Sequence, residues 1–459
     1  MSQTITLDPV TRLEGHLRVQ VQRDDASGTI ASAHSTGTLF RGFEVLLKGK
    51  DPRDAVLVTQ RICGVCPVSH AMASVLALEA AAGMHAPDNA RIIRNLILGA
   101  DHIHSDILQF YHLTLPSYIK GPAMPPWTPA YEADLRFSDA QNQTLVEHYV
   151  QGLAARRHAH ELGAIFGGKL PHTATYVAGG VTVVPDSGKI TRAAQYIDQL
   201  ISFVENVLLP DMQLLAAKYS DYYAIGRGYG NLMAFGVYDL NSSGSSKLLA
   251  RGRITDGSKT VQGLDLGAIV ERAEHSWYDG AGGGLHPSQG VTVPNAGKAD
   301  AYSWLKAPRL GGAAYEVGSL ARMWINGDYR EGISVMDRHM ARALEARKVI
   351  LAMRDWLSQI NLSAPSYTHY TVPSAGSGVG LTEAPRGALG HWVDISSGAI
   401  ATYQIVTPTC WNCSPRDGSG AAGPLEKALE GTPVADPAKP IEVLRVVQSF
   451  DPCLSCAVH

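Results

Sequence analysis

Residues 61–70 read RICGVCPVSH, and residues 451–459 read DPCLSCAVH. Each stretch contains one Cys-x-x-Cys pair: Cys63 with Cys66, and Cys453 with Cys456. Two sulfurs spaced in this way can converge on one ion, and the glycine inside the first pair lets the backbone turn tightly. The two pairs together offer four thiolates, which suit zinc, iron–sulfur clusters, or nickel and iron.

The separation of the two pairs leaves three interpretations open. Zinc sites with four cysteines usually place their pairs about 15–20 residues apart, whereas about 390 residues lie between these two. The cysteines therefore form a shared metal site, a zinc site of unusual span, or unrelated redox-active or buried pairs. A third pair, Cys410 and Cys413, completes the six cysteines of the chain, which are too few for a disulfide scaffold.

Composition narrows the classes of partner. The chain has 459 residues, of which 45% are hydrophobic, and its net charge is -3. This length can bury one large core, and the near-neutral charge gives no electrostatic argument for binding nucleic acid or an anionic membrane. The N-terminus lacks the basic and apolar segments of a signal peptide, and no unbroken run of about 18 apolar residues occurs. We therefore expect membrane contact only through partners.

Hydrophobic periodicity predicts a mixed fold. Alternating polar and apolar residues over 4–40 indicate a β-hairpin or small sheet, with a turn at DDASG. Apolar residues at helical spacing predict helix over 70–118, and further long helices are predicted at 138–166, 188–222 and 334–360.

Glycine and serine over 240–300 indicate loop with short strands, in stretches such as NSSGSSK and DGAGGGLHPSQG. After Pro373 we expect loop, a hairpin turning at Ser397-Gly398, then loops and one short helix. The predicted class is α+β, with a large, mainly helical core containing a long-helix bundle, flanked by β-hairpins and long loops. Residues 1–459 are expected to form a single domain whose two ends converge on the metal site.

The complete motifs resemble those of a known family. R-x-C-G-x-C-x-x-x-H near the N-terminus and D-P-C-x-x-C-x-x-H at the C-terminus are similar to the two signature motifs of nickel–iron hydrogenase large subunits. The resemblance extends along the chain through RLEGH (12–16), RGFE (41–44), FYHL (110–113), FGG (166–168), PH (171–172), EAPRG (383–387) and WN (411–412). It looks closest to the branch of the nickel–iron–selenium enzymes, with Cys453 at the selenocysteine position.

The resemblance implies a Ni–Fe centre held by the four cysteines. Cys63 and Cys453 would bind nickel terminally, and Cys66 and Cys456 would bridge nickel and iron. The iron would also carry CO and cyanide ligands. The implied activity is that of an H2:acceptor oxidoreductase, which reversibly cleaves H2 into protons and electrons.

The resemblance also implies roles for residues around the cysteines. Glu14 resembles a proton-transfer glutamate, and Arg386 resembles an arginine beside the open metal position, where Asp451 is a candidate carboxylate partner. Pro385 and Thr409 resemble a pocket around the cyanides. His70 is expected to donate a hydrogen bond toward a bridging sulfur or a neighbouring polar group.

The resemblance also implies a second metal site, and the sequence departs from the family pattern at two places. Glu44, the main-chain carbonyl of Ile405 and the imidazole of His459 resemble a site for Mg2+ or Fe2+. Many family members have aspartate at the position of Ser105, and we expect the displaced Asp106 not to reach the guanidinium. Cys410 and Cys413 lie outside the family pattern and are expected to be buried residues close to the metals, with a redox role as the alternative.

The remaining expectations concern the electron-transfer partner, the alternative functions and the cellular location. The two remaining cysteines cannot ligate a four-iron cluster, so a small subunit with Fe–S clusters is the implied partner. An H2-sensing regulatory subunit is the alternative function, and a metal-free quinone-binding relative is disfavoured by the four intact cysteines. Family partners often carry an export signal, so we expect a periplasmic or membrane-associated location through the small subunit, with the cytoplasm as the alternative.

Overall fold

The computed structural model describes residues 2–279 and 284–459. Its thirteen α-helices within these residues are α1 Phe43–Leu47, α2 Ala55–Gln60, α3 Pro67–Ala81, α4 Asp88–Ile107, α5 Asp139–Gly167, α6 Ser187–Phe203, α7 Leu209–Lys218, α8 Ser319–Asn326, α9 Val335–Ser358, α10 Pro408–Asn412, α11 Pro424–Leu429, α12 Ile441–Ser449 and α13 Leu454–Ala457. Helix α4 continues into a π-helical segment, Leu108–Thr114, and another, Val204–Leu208, joins α6 to α7. Short 3-10 turns lie at Pro52–Asp54, Leu115–Ser117, Ser220–Ala224, Leu266–Ala268 and Pro287–Gln289.

Sixteen strands lie within the same described residues: β1 Ser2–Leu7, β2 Leu17–Asp24, β3 Ile30–Gly37, β4 Tyr176–Val177, β5 Gly180–Val181, β6 Leu232–Ala234, β7 Val237–Asp239, β8 Lys247–Leu249, β9 Gly252–Ile254, β10 Ile269–Arg272, β11 Tyr278–Asp279, β12 Val293–Pro294, β13 Ala307–Leu310, β14 Ala375–Ala384, β15 Gly387–Ser396 and β16 Ala399–Val406. Two antiparallel three-stranded sheets, β1-β2-β3 and β14-β15-β16, are the largest, and the other strands pair in twos. Mixed helix and strand content confirms the α+β prediction.

The four longest helical stretches pack as a bundle. Helix α4 contacts α5 and α9, and α6 contacts the same two helices. Local sequence explains where they begin: Ser138 and Gln141 form a reciprocal capping box before α5, and the Ser334 hydroxyl accepts from the Asp337 amide at the start of α9. These predicted helices are confirmed, but the helix predicted over 70–118 is two helices, because Gly83 adopts a positive φ and Pro87 precedes α4.

One apolar helical stretch merits comparison with a membrane span. The stretch Ser187–Lys218 is long and apolar enough by composition, with a hydropathy of 1.3, and 44% of that window is buried against the rest of the fold. Contacts of α6 with α5 and α9 explain the apolar face as core packing.

The C-terminal sheet contains a strand that the glycine content concealed. We predicted loop after Pro373, but β14 pairs with β15 along its whole length. The prediction was wrong because the glycines of β14 do not mark a turn. A Cβ atom added at Gly376, Gly378 or Gly380 would lie 2.4, 2.0 or 1.9 Å from a carbonyl oxygen of α3. Glycine is therefore required by the close approach of helix and strand backbones.

The rest of the C-terminal region is also more regular than predicted. The hairpin turning at Ser397-Gly398 is confirmed as β15 and β16, but four short helices follow it where one was expected. Three of them have only four to six residues, too few for a clear period, and two of these start with proline, at Pro408 and Pro424. The predicted loop with short strands over 240–300 is confirmed where described, and residues 280–283 of its glycine run lie outside the described residues.

Candidate metal centre

The two cysteine pairs are carried by loops that lead into helices. Cys66 directly precedes α3, and Cys453 directly precedes α13, in which Cys456 lies. The main chain of Glu14 pairs with Cys453 in a parallel bridge, and the Leu454 amide donates to the Glu14 carbonyl over 2.7 Å. Both ends of the chain therefore meet at one place.

All four sulfurs point into the same buried space. The Sγ atoms of Cys63 and Cys453 are 3.5 Å apart, and those of Cys66 and Cys456 are 3.3 Å apart. Cys453 and Cys456 are 3.0 Å apart, and all four sulfurs lie within 4.8 Å of one another. Each sulfur of the N-terminal pair thus lies within 3.5 Å of a sulfur of the C-terminal pair, which contradicts the interpretation as two unrelated pairs.

The protonation of the four sulfurs depends on their burial and on one another. Burial, reinforced by neighbouring sulfurs, raises the pKa of Cys453 and Cys456. Hydrogen bonds from the other thiols, led by Cys453, lower the pKa of Cys63 well below its usual range, with Arg386 contributing. Without a metal the cluster would thus keep most of its thiols protonated, because four adjacent anions repel one another. Soft, buried thiolates fit nickel and iron.

A buried arginine faces the sulfurs. Burial alone would lower the pKa of Arg386, but Asp451 and then the thiols outweigh it and raise that pKa well above its usual value. Its Nη2 donates to Asp451 Oδ1 over 3.1 Å, and its Nη1 lies 3.5 Å from the Ser105 hydroxyl. Its Nε is buried without a partner among the described residues.

Asp106, the residue after Ser105, lies elsewhere. It lines a small cavity with Gln109 and Arg342, and burial raises the pKa of its carboxyl well above the usual value. Ser105, and not Asp106, therefore faces the guanidinium of Arg386. Asp451 is the ionic partner of this arginine.

Glu14 lies at the edge of the cluster, half-buried. Its Oε1 accepts from the Ser455 hydroxyl over 2.9 Å, so a hydroxyl inside the C-terminal cysteine loop holds the carboxylate. The adjacent Gly15 has φ +84°, and a Cβ atom added there would lie 2.8 Å from the Ser455 nitrogen and 2.9 Å from the Leu454 Cβ. The position thus requires glycine for its backbone conformation and for its contact.

We expect Gly15→Ala to push the C-terminal cysteine loop away from Glu14. Strain and overpacking should destabilise the protein by about 1–3 kcal/mol and lower its nickel content, measured by thermal unfolding and metal analysis. Gly49→Ala is the matched control, because Gly49 has φ +81° and no atom within 4 Å of an added Cβ. Equal nickel loss in both variants would contradict a specific contact.

Two histidines and a tyrosine form a chain of hydrogen-bond contacts that starts at the Cys456 sulfur. His70 Nε2 is 3.5 Å from Cys456 Sγ, and His70 Nδ1 is 3.2 Å from His391 Nε2. Tyr403 contacts His391 Nδ1 over 2.9 Å. Sequence analysis singled out His70 and missed the other two. A buried histidine on a strand, five residues after Arg386, was the only available signal.

Pro385 and Thr409 are both buried. The Cys453 amide donates to the Thr409 hydroxyl over 2.9 Å, and the Pro385 carbonyl accepts from Arg322 over 2.8 Å. Thr409 therefore fixes main chain at Cys453, and Arg322 fixes the main chain directly before Arg386.

Cys410 and Cys413 follow Thr409 and are fully buried. Burial raises the pKa of Cys410 to about 12 and also raises the pKa of Cys413. The Cys410 thiol lies 3.5 Å from the Ala457 carbonyl. High pKa values make these thiols poor nucleophiles, which favours the prediction of buried residues over a redox role.

Glu44 and His459 meet in a second buried polar site. His459 Nδ1 contacts the Cys456 carbonyl over 2.7 Å, and His459 Nε2 lies 3.3 Å from Glu44 Oε1. If Nδ1 carries the proton, a neutral ring points its Nε2 lone pair at a carboxylate, so a proton or a cation must lie between them. Ile405 contributes its amide, which donates to Glu44 Oε1 over 2.8 Å.

Lys306 belongs to the same site and was missed. Its buried ammonium lies 3.4 Å from both Glu44 Oε2 and Glu271 Oε2, and 3.1 Å from Gln404 Oε1. Burial opposes its charge, but the two carboxylates outweigh burial and raise its pKa. A single buried lysine gives no periodic signal, so only its surroundings identify it.

We expect His459→Ala to weaken this site. It removes a ring that contacts both Glu44 and the cysteine loop, so bound magnesium or iron should fall and the protein should lose about 1–3 kcal/mol. Metal analysis and thermal unfolding measure both effects. His85, an exposed imidazole in the loop between α3 and α4, provides a His→Ala control. Unchanged metal content in His459→Ala would remove the ion-binding role.

Comparison with known proteins identifies the arrangement. Residues 41–124, 114–332 and 326–459 match the nickel-dependent hydrogenase family model, and residues 4–36 match a HoxL-like model. The chain belongs to the nickel-dependent hydrogenases. It is 40% identical to the periplasmic [NiFeSe] hydrogenase large subunit of Desulfomicrobium baculatum, over 99% of this chain and 94% of that protein. It is 35% identical to the uptake hydrogenase large subunit of Rhizobium leguminosarum bv. viciae, over 99% and 95%.

Solved structures agree with this hydrogenase assignment. An H2-activated [NiFeSe]-hydrogenase of Dm. baculatum has a TM-score of 0.97 at 41% identity, covering 100% of both chains. The as-isolated oxidised Ni-Fe-Se hydrogenase of D. vulgaris Hildenborough has a TM-score of 0.97 at 39% identity, also covering 100% of both. The resemblance to nickel–iron hydrogenase large subunits is confirmed, as is its leaning toward the selenium-containing branch.

Proposed function

We propose that this hydrogenase large subunit is catalytic and cleaves H2 reversibly into protons and electrons at a Ni–Fe centre held by its four clustered cysteines. The observation that carries the proposal is the group of four buried sulfurs within 4.8 Å of one another. Cys63 and Cys453 would bind nickel alone, and Cys66 and Cys456 would bind both metals. The contacts of Cys63 with Cys453, at 3.5 Å, and of Cys66 with Cys456, at 3.3 Å, support this division.

When bound, such a centre supplies the Lewis acid and the electron acceptor for heterolytic H2 cleavage. The chain supplies the acid–base groups. The Cys453 sulfur would be the first base, and the main chain of Glu14 is paired with that of Cys453. Glu14 Oε1, held by the Ser455 hydroxyl, would accept the proton and pass it outward.

Arg386 would act through its fixed positive charge. Asp451 holds one edge of the guanidinium. The raised pKa of Arg386 keeps the guanidinium charged at any working pH. A cation held beside the sulfurs stabilises negative charge that develops there. With its pKa raised, this arginine is a poor general base, which favours the electrostatic role over the proton-accepting one.

The other cofactor groups follow the same family pattern. CO and cyanide on the iron would lie against Pro385 and Thr409, whose hydroxyl already accepts from the Cys453 amide. Mg2+ or Fe2+ would lie beside Glu44 and His459, whose carboxylate oxygen and imidazole nitrogen lie 3.3 Å apart and could both bind it. Ile405 would add its carbonyl oxygen, an ordinary ligand for a hard cation.

The electrons require a partner, and as a member of a large-subunit family this chain pairs with a small subunit. Two remaining buried cysteines cannot hold a four-iron cluster, so the small subunit would carry the Fe–S clusters. Exposed apolar side chains on α1 and α2, which contact each other, support a docking face: Val45, Leu46 and Leu57. A periplasmic location through this partner is supported by the periplasmic relative.

Residues 1–459 would form a single domain, since Glu14 and the last helix build one site together. The relatives' names describe hydrogenases, which supports catalysis over the alternative of H2 sensing.

Co-purification with the small subunit tests the proposal. We expect about one nickel for each large subunit, infrared bands of CO and cyanide, and H2 oxidation with an artificial acceptor such as methyl viologen. Full nickel content with negligible turnover would favour the sensing function instead. Zinc in place of nickel would contradict the proposal.

A further inference from the structure

A line of buried hydrogen bonds runs from the cysteine cluster into the C-terminal sheet. It starts at Cys456 Sγ and passes through His70 and His391 to the phenol of Tyr403, with separations of 3.5, 3.2 and 2.9 Å. All four side chains are at most 2% exposed. The line involves both ring nitrogens of each imidazole.

Geometry favours the neutral form of both imidazoles. Each ring is at most 1% exposed, and its nitrogens face only a sulfur, the other imidazole or a phenol. The described residues give neither ring a carboxylate partner for a buried positive charge, which would be costly. A neutral imidazole has one N–H donor and one lone-pair acceptor. Each ring in this line therefore donates at one nitrogen and accepts at the other.

A thiolate at one end decides the direction of every bond. A deprotonated Cys456 can only accept, so His70 Nε2 must donate to it and His70 Nδ1 must accept. His391 Nε2 must then donate to His70, and His391 Nδ1 must accept from the Tyr403 hydroxyl. Hydrogen bonds aligned head to tail polarise one another, by about 10–30% for each bond.

The frame that holds this line is rigid. His70 lies in α3, which packs on β14 and β15, while His391 and Tyr403 lie on the neighbouring strands β15 and β16. Val393 is the register partner of Tyr403, which makes His391 its diagonal neighbour on the same face of the sheet. The line therefore forms only when helix and sheet are packed.

We propose that His391 and Tyr403 are positioning residues that hold His70 in its Nε2–H tautomer and so maintain hydrogen-bond donation to the Cys456 sulfur. The inference rests on the proposed role of Cys456 as a metal-bridging thiolate. Donation to a bridging sulfur withdraws electron density from both metals, so this line tunes their potential without touching the substrate.

Paired substitutions at His391 test the direction of the bonds in the nickel-loaded heterodimer. His391→Leu removes the donor to His70, whereas the side-chain amide of His391→Gln can replace it. We expect His391→Leu to retain nickel, to shift the CO and cyanide bands to lower wavenumber and to make the nickel midpoint potential more negative. We expect His391→Gln to stay close to wild type in both readouts.

Tyr403→Phe provides a smaller change that preserves packing. It removes only the hydroxyl, so its band shift should have the same sign as that of His391→Leu and a smaller size. Tyr118→Phe is the matched control, because the Tyr118 hydroxyl is buried with no hydrogen-bond partner among the described residues. If His391→Leu fails to assemble, Tyr403→Phe still provides the spectroscopic comparison.

Nitrogen-15 spectra of histidine in the reduced, nickel-loaded wild type test the tautomers directly. Other buried histidines also carry Nε2–H, so the signals are assigned to His70 and His391 by comparison with the His391→Gln spectrum. Nε2–H at both positions supports the proposal, and Nδ1–H at either one overturns it. Bands and potentials equal to wild type in both His391→Leu and Tyr403→Phe would also overturn it. A wild type without nickel would refute the proposed function, and the absence of a thiolate acceptor would overturn this inference with it.

Discussion

Replacing Cys453 by serine should abolish both nickel retention and H2 turnover. A serine hydroxyl is a hard, weakly acidic ligand, and it cannot replace a soft thiolate that binds nickel. The Cys453 sulfur also has the shortest sulfur contact of the cluster, 3.0 Å to Cys456, so its loss changes a bridging neighbour as well. We expect nickel content near zero by metal analysis and no detectable H2 oxidation.

Cys413→Ser is the matched control for this result. Cys413 is as fully buried as Cys453 but lies outside the four-sulfur cluster. The free energy of unfolding of the Cys413→Ser variant should fall by about 1–3 kcal/mol, because a polar hydroxyl replaces a buried thiol. The variant should keep its nickel and its turnover. A purified Cys453→Ser protein with full nickel and wild-type turnover would refute the metal assignment. Nickel loss in both variants would point to misfolding instead.

Glu14→Gln should stop proton exit while leaving the metals in place. The amide keeps the shape of the carboxylate and its contact with the Ser455 hydroxyl, but it cannot carry a proton through ionisation. General acid–base groups contribute about 10²–10⁴-fold to rates, so H2 oxidation and H/D exchange with solvent should fall by about that factor.

The conversion of para-H2 to ortho-H2 separates the two steps. It needs the metal centre but no proton exit, so it should persist in Glu14→Gln with unchanged nickel content. Glu147→Gln, at an exposed position of α5, should behave as wild type in every assay. If solvent exchange survives unchanged in Glu14→Gln, the proton leaves by another route.

The four-cysteine site shows how much of a metal centre can be predicted from local sequence. Cys-x-x-Cys spacing and the residues around it were sufficient to predict a metal site and the family, because ligand chemistry is written in the residue types themselves. The pairing of Cys63 with Cys453 and of Cys66 with Cys456 was only implied. It depends on two loops that meet across the whole chain.

The helices and strands show the same division. Long helices were predicted because their apolar residues repeat at the helical period over many turns. Strand β14 was predicted as loop, because its glycines look like turn residues until α3 is packed against them. No local pattern records that a neighbouring backbone will lie this close.

What the sequence determined by itself was the chemistry of the ligands, the long helices, the outer hairpins and the family. Only the tertiary structure decided that Lys306 enters the site of Glu44 and His459, and that His391 and Tyr403 lie behind His70. Each of these is a single side chain on a separate element, with no periodic signal of its own. Its role arises from long-range packing, which places charges and hydrogen-bond partners together only after helix and sheet have closed on each other.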